Sequence, residues 1–330
     1  MEAVTLQNKP DDGSRMGVRR NLGGPSVRRR GDLVVRLYKY RFLYLLMIPV
    51  AAYYVVFRFY PLLLQTILSF KNYMLLEGVW GSDWVGLDNF RHALSLPDFT
   101  QILVNTVSIS LLRIAFGFWP PLILAIVLFD LTSGKLRRFS QTLVYIPHFF
   151  SWVIVYGMVY AFFSNSGLLN AIITSLSGDV QNFLLSSGWF RPILIGSAIW
   201  KEIGWGAIIY LAALTSVDPS LYEAAKIDGA GPVTRIFRIT IPSIAHIIVF
   251  LFTLSLGGIL YAGGEQILLF YNPATYNVGD VIDTWIYRQG FNDLQYSLST
   301  AVSFFQSLVG LCLVLAANQA SKRMAGIGLW

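Results

Sequence analysis

Six stretches of the chain, near residues 42–64, 103–129, 141–163, 192–214, 243–268 and 299–318, stay mostly apolar over about the 20 residues that a helix needs to cross a bilayer's hydrocarbon. No water reaches backbone amides and carbonyls in that layer, so such stretches have to be helical. They leave no room for an ordinary soluble domain. Only 13% of the residues are charged, where soluble domains carry about a quarter. The expected fold is an all-α polytopic membrane protein with six transmembrane helices.

Ahead of the first run, residues 1–36 are rich in Gly, Pro, Ser and Arg, include Arg28-Arg29-Arg30 and show no apolar periodicity, which predicts a disordered basic tail. A cleavable signal peptide needs a short apolar core close behind its basic start. Here the run is too long and too far in, so the first span is expected to stay. Residues 37–330 then make one transmembrane domain, with no loop long enough for a second fold. Lys and Arg set its orientation. The tail, Lys135 with Arg137 and Arg138, Lys226 with Arg235 and Arg238, and Lys322-Arg323 fall on one side of a six-span layout. The opposite loops hold Lys71, Arg91, Arg191 and Arg288 amid Trp80, Trp84, Trp189 and Trp285. The first side is expected to be the cytoplasm, with both termini there, and the tryptophans are expected at the far membrane interface. Much of the +7 formal charge crowds into the tail, with no basic stripe on a soluble fold, so no nucleic-acid partner is expected.

One polar stretch, residues 218–232, lies between two apolar runs and must leave the membrane. Asp218 reads as an N-cap, Pro219 as the first helical residue, and Gly229 with Gly231-Pro232 as the stop, giving a helix of about three turns. Leu221, Ala224, Ala225 and Asp228 share one small, nearly flat face flanked by Glu223 and Lys226. That face suits a groove on another protein; a linker helix lying on the membrane surface is the alternative.

Glu223-Ala224-Ala225, then Asp228-Gly229-Ala230, then Ile239-Thr240-Ile241-Pro242 resemble the EAA loop of bacterial binding-protein-dependent ABC importer permeases. Glu223 and Gly229 stand at that motif's Glu and Gly positions. The resemblance extends over nearly the whole chain past residue 36, including Thr142 to Asn170 and Trp200 to Leu214. Gly86 with Leu87-Asp88-Asn89-Phe90 is similar to a G-x-x-N-F element of the family, though a capped surface turn reads the same way. Tyr145-Ile146-Pro147-His148-Phe149 and Trp200-Lys201-Glu202-Ile203-Gly204-Trp205 look closer to permeases for acidic oligosaccharides such as alginate than to the maltose type, whose large external insert is absent. The resemblance implies a maltose-permease-like fold in the bacterial cytoplasmic membrane, with a coupling loop at about 215–242. It further implies docking by Tyr222, Glu223, Ala224, Ala225, Asp228 and Gly229 into an ABC ATPase. The implied partners are a second permease subunit in a heterodimer, two ATPase copies and an extracytoplasmic solute-binding protein. ATP and Mg²⁺ would belong to the ATPase, with no cofactor held by this chain.

Charges inside spans point to the cargo path, because an ionised side chain at the bilayer centre costs about 2.5–3.5 kcal/mol on insertion scales and usually faces a cavity or a partner. Lys201 and Glu202 sit mid-span between Trp200 and Trp205, and aromatic faces beside hydrogen-bonding groups suit a pyranose ring. Simple pairing that stiffens the bundle is the competing reading. The family resembled also implies that the third and last spans line the path. That points to Trp152, Tyr156 and Tyr160, spaced along one face, and to Gln306. Arg58 and Arg113 lie within or near the outer parts of their spans; snorkelling to headgroups suits Arg58. Arg113 or Lys201 facing the path would favour a carboxylated sugar.

The sequence carries no chemistry of its own. No G-x-x-x-x-G-K-[ST] run is present, since Gly134-Lys135 is followed by Leu136. His92, His148 and His246 have no partner by spacing, and the single Cys312 reads as a small buried hydrophobe, so neither a catalytic group nor a metal site is expected. Pro120-Pro121 and the pairs Gly257-Gly258 and Gly263-Gly264 are candidate hinges, with tight packing at glycine as the alternative, while Pro147 and Pro242 read as ordinary helix starts. A stand-alone secondary transporter would need no docking loop. A membrane enzyme acting on lipid-linked sugars would need paired carboxylates or a metal cluster.

Overall fold

The computed structural model describes residues 38–176 and 178–326. The expected tail at 1–36 lies outside them. The chain divides into two compact units, one up to Tyr60 and one from Pro61 on.

In the first unit, α1 (Arg41–Tyr54) runs into a single π turn at Val55–Phe59, and neither holds a buried residue. Tyr53 packs edge-on against Tyr54 and at 5.2 Å against Phe57. Arg58 sits exposed in the π turn.

The second unit begins one residue into α2 (Tyr60–Ser69), which leads to a two-stranded antiparallel ribbon, β1 (Lys71–Asn72) and β2 (Asp83–Trp84), with Lys71 opposite Trp84. Next come α3 (Asp88–Ser95), α4 (Phe99–Gly117) and α5 (Trp119–Asp130). The last two are interrupted at Phe118, just ahead of Pro120-Pro121, whose rings and missing amides cannot continue the preceding turn. Then α6 (Gly134–Tyr145), a 3₁₀ turn (Ile146–Phe149), α7 (Trp152–Phe163) and α8 (Leu168–Ser175) lead to the long α9 (Ser187–Thr215). The chain ends with α10 (Pro219–Ile227), α11 (Pro232–Ser243), α12 (Ala245–Gly257), α13 (Gly264–Phe270), α14 (Ile282–Tyr287) and α15 (Tyr296–Ala325).

Five segments, Arg41–Ser69, Phe99–Asp130, Trp152–Ser175, Ser187–Thr215 and Tyr296–Arg323, are long and apolar enough to span a membrane, and a sixth crossing is possible for the α11–α12 pair, bent by 67°. The span expected at 141–163 is corrected to start at Trp152. Pro147 opens a 3₁₀ turn, Ser151 caps a new helix, and α6, with Lys135, Arg137 and Arg138, is a separate helix. The span expected at 243–268 is likewise interrupted: α12 stops at Gly257, and Gly263 at φ +85° starts α13. Nor is Pro242 an ordinary start, because it lies ahead of the bend.

The core is organised around α9, on which ten residues are buried, from Phe190 to Leu214. Close approach depends on glycine: a Cβ at Gly204 would collide with the Val144 carbonyl, and one at Gly206 would lie 3.0 Å from the Pro121 ring. At Gly257 a Cβ would run into Val314 of α15, so close packing accounts for that glycine. Polar residues in α4 stitch the far segment in: Asn105 Nδ2 donates to the Asp280 carbonyl at 3.0 Å, and Thr106 Oγ1 accepts from the Ile282 amide at 2.9 Å. Trp285 is buried against Phe99 rather than interfacial, and Cys312 is exposed rather than buried.

Candidate functional site

Two places carry the polar residues singled out from sequence. The first is α10. The Asp218 carboxylate accepts the Ser220 amide at 2.9 Å, which caps the helix and holds its carboxyl below the usual range. Pro219 follows at the first helical position. At the other end the Ala230 amide returns to the Ala225 carbonyl at 2.8 Å and the Gly229 amide to that of Lys226 at 3.1 Å, with Gly229 at φ +75°. No residue of α10 is buried. Leu221, Glu223, Ala224, Ile227 and Asp228 are exposed, whereas Tyr222 and Ala225 are half-buried. The Tyr222 hydroxyl lies 3.2 Å from Thr240 Oγ1, and its ring is 5.9 Å from that of Phe129 at the end of α5. Of the face expected from periodicity, Leu221, Ala224 and Asp228 are exposed and Ala225 is half-buried, and Ile227, 87% exposed, adds to the exposed surface.

The second place is the middle of α9. Lys201 is buried, and its Nζ donates to the His148 carbonyl at 2.7 Å and to Glu202 Oε1 at 3.1 Å, 5.2 Å from the Trp152 ring centre. Glu202 Oε2 lies 2.8 Å from His148 Nδ1, and the imidazole stacks on Trp205 at 4.3 Å, almost parallel. Trp152, His148, Lys201, Glu202 and Trp205 thus form one cluster. The sequence reading that left His148 without a partner is corrected, because 54 residues separate it from Glu202. The 3₁₀ turn that breaks the expected third span is what delivers His148 to α9.

Arg113 of α4 donates to the Gln266 Oε1, and the Gln266 amide donates to the Leu194 carbonyl at 2.8 Å and to Ser197 Oγ at 3.0 Å. The αL backbone of Gly263 makes room, since a Cβ there would meet the guanidinium. Arg113 lines a cleft of about 540 Å³ with Glu202, Phe118, Pro121 and Tyr210. Gln266, Asp283 and Trp152 line another of about 670 Å³. Gln306 is buried, and its amide donates to the Leu260 carbonyl at 2.6 Å and to Asp283 Oδ1 at 2.8 Å.

The remaining sequence-predicted residues stand apart. Tyr156 packs on Phe270 at 5.2 Å and on Tyr160 at 6.3 Å, with Tyr160 exposed. Trp200 lines a third cleft of about 450 Å³, otherwise apolar except for Ser197, between α7 and α9. Gln266 and Asp283 were missed. Neither lies in a motif, and the only signal for Asp283 is a carboxylate in an otherwise apolar stretch. Among the described residues no group of three or more His, Cys, Asp or Glu side chains could hold a metal ion.

Apolar helices long enough to span a membrane, a self-capped polar helix α10 with an exposed face, and polar networks around α9 suit a membrane transport subunit. The chain belongs to the family described as binding-protein-dependent transport system inner membrane component, matched over residues 117–326. It is therefore a multi-pass protein of the bacterial inner membrane, and its family transports rather than transforms. It is 40% identical to the polygalacturonan/rhamnogalacturonan transport system permease protein YteP of Bacillus subtilis, covering 92% of this chain and 94% of that one. It is 41% identical to protein LplB of the same organism, over 88% and 91%. Among solved structures it is similar to a chain of a bacterial alginate ABC transporter in complex with an alginate pentasaccharide-bound periplasmic protein. That match has a TM-score of 0.82 and 38% identity, and covers 90% of this chain and 99% of the other.

Proposed function

We propose that this chain is one half of the membrane part of an ATP-driven importer of oligosaccharides that carry carboxylates. It works with a second permease, two ATPase copies and an extracytoplasmic binding protein that delivers the sugar. With α10 on the cytoplasmic side, its outer face of Leu221, Glu223, Ala224, Ile227 and Asp228 enters a groove on the ATPase, while Tyr222 and Thr240 tie it to α11. Closure of the ATPases on ATP pushes α10 as one rigid piece, and the spans exchange an inward-open path for an outward-open one.

The observation that carries the reading is the placement of α10: a short helix whose ends are satisfied by residues within or next to it and whose outer face is exposed among the described residues. The carboxylate preference is supported by the relatives named for polygalacturonan/rhamnogalacturonan and by the alginate transporter. Arg113 supports it too. Arg113 lines the cleft of about 540 Å³, its guanidinium lies against Gly263 and Gln266, which line the cleft of about 670 Å³, and its buried Nε has no protein acceptor among the described residues. Lys201 is already engaged by His148 and Glu202, so it shapes the path rather than greeting the sugar. Uptake of matched acidic and neutral oligosaccharides tests this. Arg113→Ala is expected to lower acidic uptake at least about tenfold, as loss of a charge-assisted hydrogen bond would, and to leave neutral uptake within a factor of two or so. Equal losses for both sugars would remove the preference while leaving the importer role standing. Uptake that persists without any ATPase would favour a secondary transporter.

A further inference from the structure

Between the first and second spans the chain carries Met74, Leu75, Leu76 and Trp80 on a loop that does not fold them inward. Leu75 and Trp80 are each 73% exposed, and Leu76 is fully exposed. The loop is held open by its own polar groups. Lys71 Nζ donates to the carbonyls of Val79 at 2.9 Å, Trp80 at 3.3 Å and Ser82 at 2.9 Å. Ser82 Oγ donates to the Gly78 carbonyl at 2.6 Å and accepts the Met74 amide at 3.0 Å. The Asn89 amide clamps the carbonyls of Ser69 and Lys71, and Gly78 and Gly86 take positive φ at the corners. These bonds pair the backbone on both sides of the tip, at Met74 and from Glu77 to Ser82, which lowers the cost of bringing the loop to a dry surface.

Its depth is fixed by what it joins. The loop leaves Ser69, the last residue of one candidate span, and leads through α3 to Phe99, the first residue of another. Its Tyr73 amide donates at 2.8 Å to Ser297, one residue into the span that starts at Tyr296. Phe90 of α3 and Phe70 both pack on Phe304 of that same span. The ends of two candidate spans, at Ser69 and Tyr296, therefore lie beside this loop, and the ends of spans of this length fall near the edge of the hydrocarbon.

We propose that Met74–Leu76 with Trp80 form a lipid anchor, seated at the boundary between headgroups and acyl chains beside the spans. Tryptophan and leucine on one projecting surface are the pair that prefers this layer. The one cation in the loop is turned inward onto carbonyls, while Glu77 and Asp83 remain exposed, so neutral zwitterionic lipid fits better than anionic lipid. The anchor holds the corner between the first two spans at constant depth while other parts of the bundle move.

The test uses the full chain in its assembled transporter, reconstituted in phosphatidylcholine nanodiscs, with a bimane label on Leu76→Cys in a Cys312→Ala background. Lipid carrying a shallow doxyl group is expected to quench the label severalfold more than aqueous iodide, with no change when the binding protein is added. Quenching by iodide alone would overturn the anchor. So would a label insensitive to doxyl lipid whose emission shifts only on adding the binding protein, which would make the tip a protein docking surface. Adding Lys71→Met should weaken the lipid quenching severalfold in transporter that still elutes as the intact complex; unchanged quenching would show that the ammonium does not brace the tip.

Discussion

Helices α9 and α10 are consecutive, yet they are built by opposite rules. In α9 ten residues are buried and its polar contacts run to His148, Gln266 and Val278, far away in sequence. In α10 nothing is buried, and both ends are closed by residues within the helix or next to it. In the docking role proposed for α10, a helix has to keep its shape before it meets its groove, and its own caps would let it do so. A span around which a bundle turns can leave its polar groups to be satisfied by neighbours, which makes its stability a property of the whole bundle. The brace between the two rules is narrow: Tyr222 on Thr240 and Phe129, and, behind it, Arg137 capping the Phe129 and Leu131 carbonyls at 2.8 and 2.7 Å.

The sharpest way to break this contrast is at α10. Glu223→Lys reverses an exposed charge, and Gly229→Pro demands φ near −65° where the chain sits at +75° and removes a donated hydrogen bond. Both are expected to abolish nucleotide-driven uptake in membranes; for Glu223→Lys the amount of inserted chain should stay normal, and sustained uptake would end the coupling role. A smaller but still large effect is expected at α9, where Gly204→Ala drives a methyl into the Val144 carbonyl. It should cost about 1–3 kcal/mol, the range for overpacking, read as a lower unfolding temperature of the assembled transporter. An unchanged unfolding temperature would mean that α6 is free to move away from α9.

Next in size, Gln266→Leu strands one donor, the Arg113 guanidinium, and leaves two acceptors, Ser197 Oγ and the Leu194 carbonyl, without the amide N–H, at about 1–3 kcal/mol for the groups left unsatisfied. Because it frees the guanidinium, acidic uptake should fall more than neutral uptake; a parallel fall in both would reduce Gln266 to a packing residue. The smallest effect is expected from Asp218→Ala. The Asp218 pKa is lowered by the Ser220 amide, so the cap stabilises the folded chain above the ordinary aspartate range and fades as pH falls through the lowered value. Wild type and variant should differ slightly in unfolding temperature at neutral pH and converge in acid. A gap independent of pH would assign the effect to helix propensity.

The residues of α10 were legible because each cue is local: Asp218 before Pro219, Gly229 where a left-handed turn is needed, Glu223 on the open side. What the local cues do not give is the bracing of Tyr222 against Thr240, 18 residues on. In the spans the sequence located Lys201, Glu202, Arg113 and Gln306 as polar groups in apolar runs but not what they touch. His148 reaches Glu202 only because a 3₁₀ turn replaces the helix expected through Pro147, and Gln306 meets Asp283 only because α12 stops at Gly257.

By itself, then, the sequence determined the number of apolar runs, the start and stop of α10 and the absence of an ATPase motif in this chain. Those properties depend on transfer free energy and on backbone conformations set within a few residues. Tertiary structure alone decided where two of the runs break, which way Tyr222 faces, and how Arg113, Gln266, Asp283 and Gln306 are paired. When nearly every face of a span is apolar, amphipathic pattern cannot orient it, and its neighbours decide which side chains meet.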